Sequence, residues 1–334
     1  MVNGMGMVKC FAGIPLFQDL PFRIRRYTKQ NNYRRLDKLL SSPKAIKSIT
    51  NADIGPALTI ACIEGYSMCV SSLLKAFPSA ADWQDESDRT PLHAASYYGH
   101  GECIRELLEM NAKINVRDSL KRTPLMIACA NGHHECVQLL IERGADITMT
   151  DAEGRTCLML ACAFDRYNAI SALFGAESLD PDIADSKGFT ALHFSAQYNM
   201  PLSMRVLLDG GAAVDCVDAE GNTPLMLACQ GGYRRCTALL LEREASVNTA
   251  NAANLKTALH LASQYGHIDC VDILMDFGAD ANMADNSGLT ALKLSKTPRI
   301  NEIIQLKSPG KPVSLKPMDI AEIASPSKSI SIRD

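Results

Sequence analysis

The sequence predicts an all-α solenoid of short antiparallel helix pairs joined by turns, with an unpatterned segment at each end. Three observations carry this prediction. One motif recurs at spacings of 33 or 34 residues, a period typical of stacked supersecondary units. Aromatic residues make up only 6% of the 334 positions, with one tryptophan, Trp83. The interior must therefore be filled by small and aliphatic side chains, which suits thin helical layers. Threonine and glycine also recur where a helix would begin and end.

Residues 1–22 are rich in Met and Gly and carry no pattern. Residues 23–55 are expected to form a degenerate, basic capping repeat, because Arg34-Arg35-Leu36-Asp37-Lys38-Leu39-Leu40 lies one period before the next second helix. The regular array runs over 56–306. Its copies are PALTIACIEGY from Pro56, TPLHAASYYGH from Thr90, TPLMIACANGH from Thr123 and TCLMLACAFDR from Thr156. TALHFSAQYNM from Thr190, TPLMLACQGGY from Thr223, TALHLASQYGH from Thr257 and a truncated TALKLS from Thr290 follow. Thr suits a helix cap and Pro the first helical position. The helix that follows ends at Gly65, Gly99, Gly132, Gly232 or Gly266, where a left-handed residue is needed. An amphipathic second helix such as Glu135–Glu142 comes next, then a turn such as Gly144-Ala145-Asp146, then a polar link such as Asp151–Arg155.

Some copies depart from the pattern. Asp88, Lys121 and Leu255 replace the link glycine, so those turns are expected to differ in geometry. Asp165 and Asn199 replace the helix-ending glycine, and Glu244 replaces the turn glycine. After Thr290 the array is expected to close with a cap through Pro298 into Asn301–Leu306. Residues 307–334 lose the period and are rich in Pro, Ser and Lys, a composition that predicts disorder.

These motifs resemble the ankyrin-repeat family, whose unit is a β-turn followed by two antiparallel helices. The resemblance implies a protein partner lying along a concave face made of the first helices and the turn tips. It puts Tyr97, Tyr98, Asn131, Phe164, Gln197, Tyr198, Gln264 and Tyr265 in that groove. Arg89, Leu120, Arg122, Arg155, Phe189 and Lys256 fall at the tips, and Phe189 is expected to be an exposed ring. Tyrosine offers large contact area and a polar end, which suits an anchor. The same rings could instead pack on neighbouring repeats.

Chemistry is sparse by comparison. There is no phosphate-binding glycine loop, no nucleophile elbow and no zinc-binding H-E-x-x-H. With 23–306 given to repeats, no segment is left to fold as an enzyme domain. Nine of the twelve cysteines fall at two repeat-equivalent places: Cys62, Cys129, Cys162 and Cys229 at one, Cys69, Cys103, Cys136, Cys236 and Cys270 at the other. They read as compact core fillers. Cys10 alone is a candidate for modification. His93, His193 and His260 share one motif position, and in the family it bonds backbone between neighbours. No cofactor and no metal are expected, the His133-His134 pair being too little for a site.

Residues 1–50 carry a balance of +8 and residues 51–306 one of −13. An acidic body predicts a protein partner with a basic or mixed face and disfavours nucleic acid as main ligand. The basic stretch Arg23–Lys47 reads as a solvated cap face, a contact for anionic lipid or a weak presequence. No stretch is long and apolar enough to span a membrane, and a monomer in the cytoplasm, or also in the nucleus, is expected. The expected function is a protein-binding scaffold or adaptor. The alternatives are a stoichiometric inhibitor of a kinase or transcription factor, or a substrate receptor of a ubiquitin ligase, although the tail lacks the Leu-Cys-rich helix of a SOCS box. Ser308 and Ser325 precede proline and are candidate phosphorylation sites, and Asp319–Ala324 is a candidate docking motif.

Overall fold

The computed structural model describes residues 20–42, 47–176 and 179–308. Cys10, Ser325, the segment 1–19 and the tail 309–334 lie outside the described residues. The chain divides between Asp180 and Pro181 into two compact units. Among the described residues every regular element is helical, and no helix is long and apolar enough to cross a membrane.

In the first unit, α1 (Leu20–Lys29) and α2 (Tyr33–Leu40) form the capping pair. The pairs α3 (Asn51–Glu64) and α4 (Ser67–Ala76), α5 (Pro91–Tyr98) and α6 (Gly101–Glu109), then α7 (Pro124–Asn131) and α8 (His134–Glu142) follow. The last pair is α9 (Cys157–Ala163) and α10 (Tyr167–Leu173). First helices stack in the order α1, α3, α5, α7, α9, and second helices in the order α2, α4, α6, α8, α10. The second unit holds α11 (Ala191–Gln197) and α12 (Pro201–Asp209), α13 (Pro224–Gly231) and α14 (Arg234–Glu242), and α15 (Ala258–Tyr265) and α16 (Ile268–Asp276). It closes with α17 (Ala291–Leu294) and α18 (Pro298–Lys307), stacked in the same two layers.

The repeat chemistry explains why such short helices hold. In α5 the Thr90 hydroxyl oxygen accepts from the third helical N–H, while the Thr90 N–H donates to His93 Nδ1 at 3.0 Å. The same box recurs at Thr190–His193 and Thr257–His260. The other ring nitrogen faces a carbonyl of the next repeat: Arg122 O, Asn222 O and Leu289 O at 3.1, 3.0 and 3.2 Å. A carbonyl can only accept, so Nε2 carries the proton and Nδ1 is the acceptor. The Thr-x-Leu-His copies thus stitch forward, while in the Thr-x-Leu-Met copies Thr123 and Thr223 cap through the hydroxyl alone and Thr156 adds a bond from its N–H to Met159 Sδ at 3.4 Å.

A second ring does the reverse. His100, His133 and His267 donate back to Ile63 O, Tyr97 O and Gln230 O, each at 2.9 Å. Arg166 takes this place in its repeat and donates from Nε to Ala130 O at 3.2 Å. The cysteines line the core as free thiols. Burial pushes Cys69, Cys136 and Cys216 up to about 11, and raises the thiols of Cys62, Cys129, Cys162 and Cys229 as well.

The structure corrects three expectations. Pro56, expected where the other copies place their capping Thr, lies inside α3, which begins five residues earlier with Thr50 and Asp53 as its capping box. There the chain also needs Gly55, because a Cβ would come within 2.1 Å of the Trp83 ring. The capping pair starts at Leu20, ahead of the expected Arg23. The turns at Asp88 and Lys121 do not change geometry, whereas the Leu255 turn is one residue longer, with Leu255 N–H donating to Asn251 O and Asn251 N–H to Lys256 O. All three residues adopt φ of 59°, 60° and 57°, the conformation glycine has at Gly154, Gly188, Gly221 and Gly288. The turn backbone is imposed by its neighbours, and the side chain bears the strain.

Candidate protein-binding groove

Every link turn but the one at Asn251 is organised by one carboxylate. Asp118 accepts from the N–H groups of Leu120 and Arg122 at 3.0 and 2.8 Å. Asp85, Asp151, Asp185, Asp218 and Asp285 repeat this pair of bonds in their own turns. Within each unit adjacent tips are joined by backbone: Ser119 N to Ser87 O and Ala152 N to Leu120 O in the first, Ala219 N to Lys187 O, Ala253 N to Glu220 O and Asn286 N to Asn254 O in the second. The tips are therefore rigid platforms.

The side chains on these platforms differ from expectation. Arg89, Arg122 and Arg155 are each held by the carboxylate of their own turn, at 2.8, 2.7 and 2.8 Å. Phe189 is no exposed ring: it is half-buried, 5.4 Å from the His193 ring and 5.8 Å from that of Phe194. It packs there because the pocket under the tip is lined by an aromatic residue at Phe194, where other copies have Ile, Leu or Ala. Leu120 is exposed, as is Leu255 in the second unit.

The groove residues stand where the helices end. Tyr98, Phe164, Tyr198 and Tyr265 are 48%, 56%, 49% and 51% exposed, and Tyr97 is exposed beside Tyr98. The three tyrosines of this column also lean on their own repeats. Tyr98 stacks on His100 and Tyr265 on His267, with centroids 6.4 and 6.3 Å apart, and Tyr198 stacks on Phe194 at 6.2 Å. Gln197 and Gln264 are exposed, while Asn131 is half-buried and donates to Ile127 O at 2.9 Å.

In the second unit the groove and tip residues come together. Lys256, Gln264 and Tyr265 line one depression of about 440 Å³ with Asn254, Asn286, Ser287, Leu289, Leu294, Lys296 and Asp285. Leu289 and Lys296 were not read from the sequence as site residues. A signal existed: the turn carboxylate expected before Lys256 is replaced by Asn251. Lys256 consequently has no carboxylate of its own turn, and its Nζ donates to Gln264 Oε1 at 2.6 Å.

The acidic surplus of the body is spread over both helix layers and the links. Glu102, Glu109, Glu135 and Glu142 sit on the second helices of the first unit, and Glu242, Asp269, Asp272 and Asp276 on those of the second. Among the described residues no group of three or more His, Cys, Asp or Glu side chains is placed to hold a metal ion. Ser308, at the end of α18, donates from its hydroxyl to Ile304 O at 2.5 Å.

Comparison with known proteins agrees with this architecture. The family model described as ankyrin repeats (3 copies) matches residues 26–118, 115–182 and 168–251, and one described as ankyrin repeats (many copies) matches 250–295. The crystal structure of the ankyrin repeat domain of Bcl-3, described as a unique member of the IkappaB protein family, has a TM-score of 0.61 and 29% identity. It covers 66% of this chain and 100% of its own. The human ASB11 ankyrin repeat domain gives a TM-score of 0.58 and 26% identity over 67% of this chain and 100% of its own. The E3 ubiquitin-protein ligase KEG of Arabidopsis thaliana is 25% identical over 259 residues, 75% of this chain and 12% of the ligase. This chain spans less than a quarter of the length of that and the other curated relatives compared. With matches running from residue 26 to residue 295, the chain belongs to the ankyrin-repeat family.

Proposed function

We propose that this chain is a non-catalytic adaptor, working as a monomer in the cytoplasm or nucleus, that captures a partner protein on its first-helix ends and turn tips. The observation that carries the reading is the set of half-exposed rings at Tyr98, Phe164, Tyr198 and Tyr265, standing at the ends of tightly capped helices. Rings supported from one side and open on the other lose little freedom on binding, which favours affinity. A second reading, a substrate receptor of a ubiquitin ligase, is supported by the similarity to KEG.

Replacing Tyr98, Tyr198 and Tyr265 with Ala tests the adaptor reading. Partner proteins recovered by affinity capture and identified by mass spectrometry should be lost from the variant, while its helical circular dichroism stays as in the wild type. Undiminished capture by a folded variant would overturn the groove. If the ligase reading holds instead, the captured set contains ligase subunits that survive the triple substitution.

A further inference from the structure

The depression of the second unit has a distinct chemistry. On one side stand Lys256 and Lys296, and the ion pairs among the described residues include neither. On the other side Tyr265 and Leu289 are exposed and Leu294 is half-buried. Asp285 also lines it, but one oxygen of that carboxylate accepts from the N–H groups of Ser287 and Leu289, both at 2.9 Å, within its own turn. Asn254, Asn286 and Ser287 add donors and acceptors at the rim. Two ammonium groups outside those ion pairs, with Lys256 giving one of its three protons to Gln264 Oε1, stand beside an aromatic and two leucines and call for a ligand with carboxylates next to branched apolar side chains.

The chain contains such a segment. Asp319-Ile320-Ala321-Glu322-Ile323-Ala324 places two carboxylates and two isoleucines within six residues, amid a tail otherwise dominated by Pro, Ser and Lys. Resting on the reading of this groove as a protein-binding surface, we propose that the segment Asp319–Ala324 docks in the depression, with Asp319 and Glu322 on Lys256 and Lys296. Its isoleucines cover Tyr265 and Leu289.

Chain length permits it. Lys296 and Ser308 are separated by α18, ten residues long, which at 1.5 Å per residue spans about 15 Å. With the flanking residues the separation is at most about 25 Å. The eleven steps from Ser308 to Asp319 reach up to about 36 Å when extended. Tethering also raises the local concentration of the segment, so a modest intrinsic affinity suffices for occupancy. Docked in this way, the segment competes with any partner for Tyr265.

Zero-length carbodiimide cross-linking of the full chain at low concentration, followed by peptide mass spectrometry, tests the assignment. Amide bonds joining Lys256 or Lys296 to Asp319 or Glu322 are expected in the monomer band. They should disappear in the Asp319→Asn, Glu322→Gln variant, whose changes lie outside the repeats. Absence of these bonds in the wild type, or their presence only in a dimer band, overturns the inference. So does cross-linking of the two lysines to other carboxylates alone. A chain that loses partners with its tyrosines yet shows no such bond loses this inference and keeps its function. A chain whose tyrosine variant captures partners as the wild type does, while the bonds persist, loses the function reading and keeps the tail assignment.

Discussion

The link turns of the two units, the longer Asn251–Lys256 turn apart, share a backbone and differ in what they present. In the first unit the residue four places after the turn carboxylate is an arginine each time, and Asp85–Arg89, Asp118–Arg122 and Asp151–Arg155 close as ion pairs of 2.8, 2.7 and 2.8 Å. In the second unit the same place holds Phe189, Asn222 and Leu289, and in the remaining turn Asn251 stands for the carboxylate with Lys256 beyond it. The backbone bond from the turn Asp N–H persists throughout, to Arg122 O at 3.0 Å and to Phe189 O at 2.9 Å. Turn geometry is thus set by the carboxylate and its N–H partners. The arginine is an addition that neutralises the tip, and where it is missing the tip is free to be apolar or cationic.

Removing a turn carboxylate from each unit would separate these contributions. Asp118 is 4% exposed and Asp218 is 8% exposed. Either change to Ala strands two part-buried N–H groups, at a cost of about 2 kcal/mol, and Asp218→Ala also frees the Asn222 amide that donates to Asp218 Oδ2 at 3.0 Å. Asp118→Ala also strands the Arg122 guanidinium, which is partly open to solvent. It should therefore lose only about 1 kcal/mol more. Urea unfolding of the two variants measures the difference. Equal losses would mean that the Arg122 ion pair adds no more than the Asn222 amide bond does at Asp218.

Why some of this was legible in the sequence follows from the same turns. The helix pairs were readable because Thr, Gly and the apolar runs act within one repeat, at separations of ten residues or fewer. The stitching histidines were readable because they recur in register at His93, His193 and His260. Arg166 was not, since a guanidinium fills the place of an imidazole and only geometry shows that both donate to the preceding repeat. The start of α3 was hidden because Pro56 aligns with the capping threonines, while the true cap, Thr50 with Asp53, lies outside the repeat pattern. The balance of −13 over 51–306 sums side chains on both layers, and burial or ion pairing inside a turn removes others from the surface. That Tyr98, Tyr198 and Tyr265 share one column with Phe164 was readable in register; their half-exposure was not, since the register does not say what packs on a ring, and neither was Lys296, which follows the break in the truncated last repeat.

The histidine stitches extend the comparison to pH. Burial is the leading cause that holds His93, His193 and His260 below the ordinary imidazole value of 6.5, against the bonds to Arg122 O, Asn222 O and Leu289 O that raise it. Protons therefore bind the unfolded chain more readily than the folded one. The stability contributed by the neutral rings is complete above about pH 6.5 and is lost as pH falls through the lower folded-state values. The second unit has two such rings and the first has one. Thermal midpoints should drop between about pH 7.5 and 5.5, and His193→Gln with His260→Gln should flatten that drop more than His93→Gln. An unchanged slope in the double variant would assign the acid sensitivity to other groups.

The smallest expected effect makes the sharpest comparison. Lys121 in the first unit and Leu255 in the second both carry left-handed φ, 60° and 57°, at a place where other copies have glycine. Glycine at either site removes the Cβ penalty, and the offsetting gain in unfolded-state freedom leaves a rise of about 0.5–1 kcal/mol. Thermal unfolding should therefore shift upward by a similar amount in Lys121→Gly and Leu255→Gly. Partner capture should not move together with it. Leu255 is 51% exposed and lies next to Lys256, so a strained apolar side chain kept at this tip is best explained by a contact it makes with the partner. Leu255→Gly should then gain stability and lose binding, while Lys121→Gly gains stability and binds as before. Equal binding by the two variants would mean that the strain at Leu255 serves no contact.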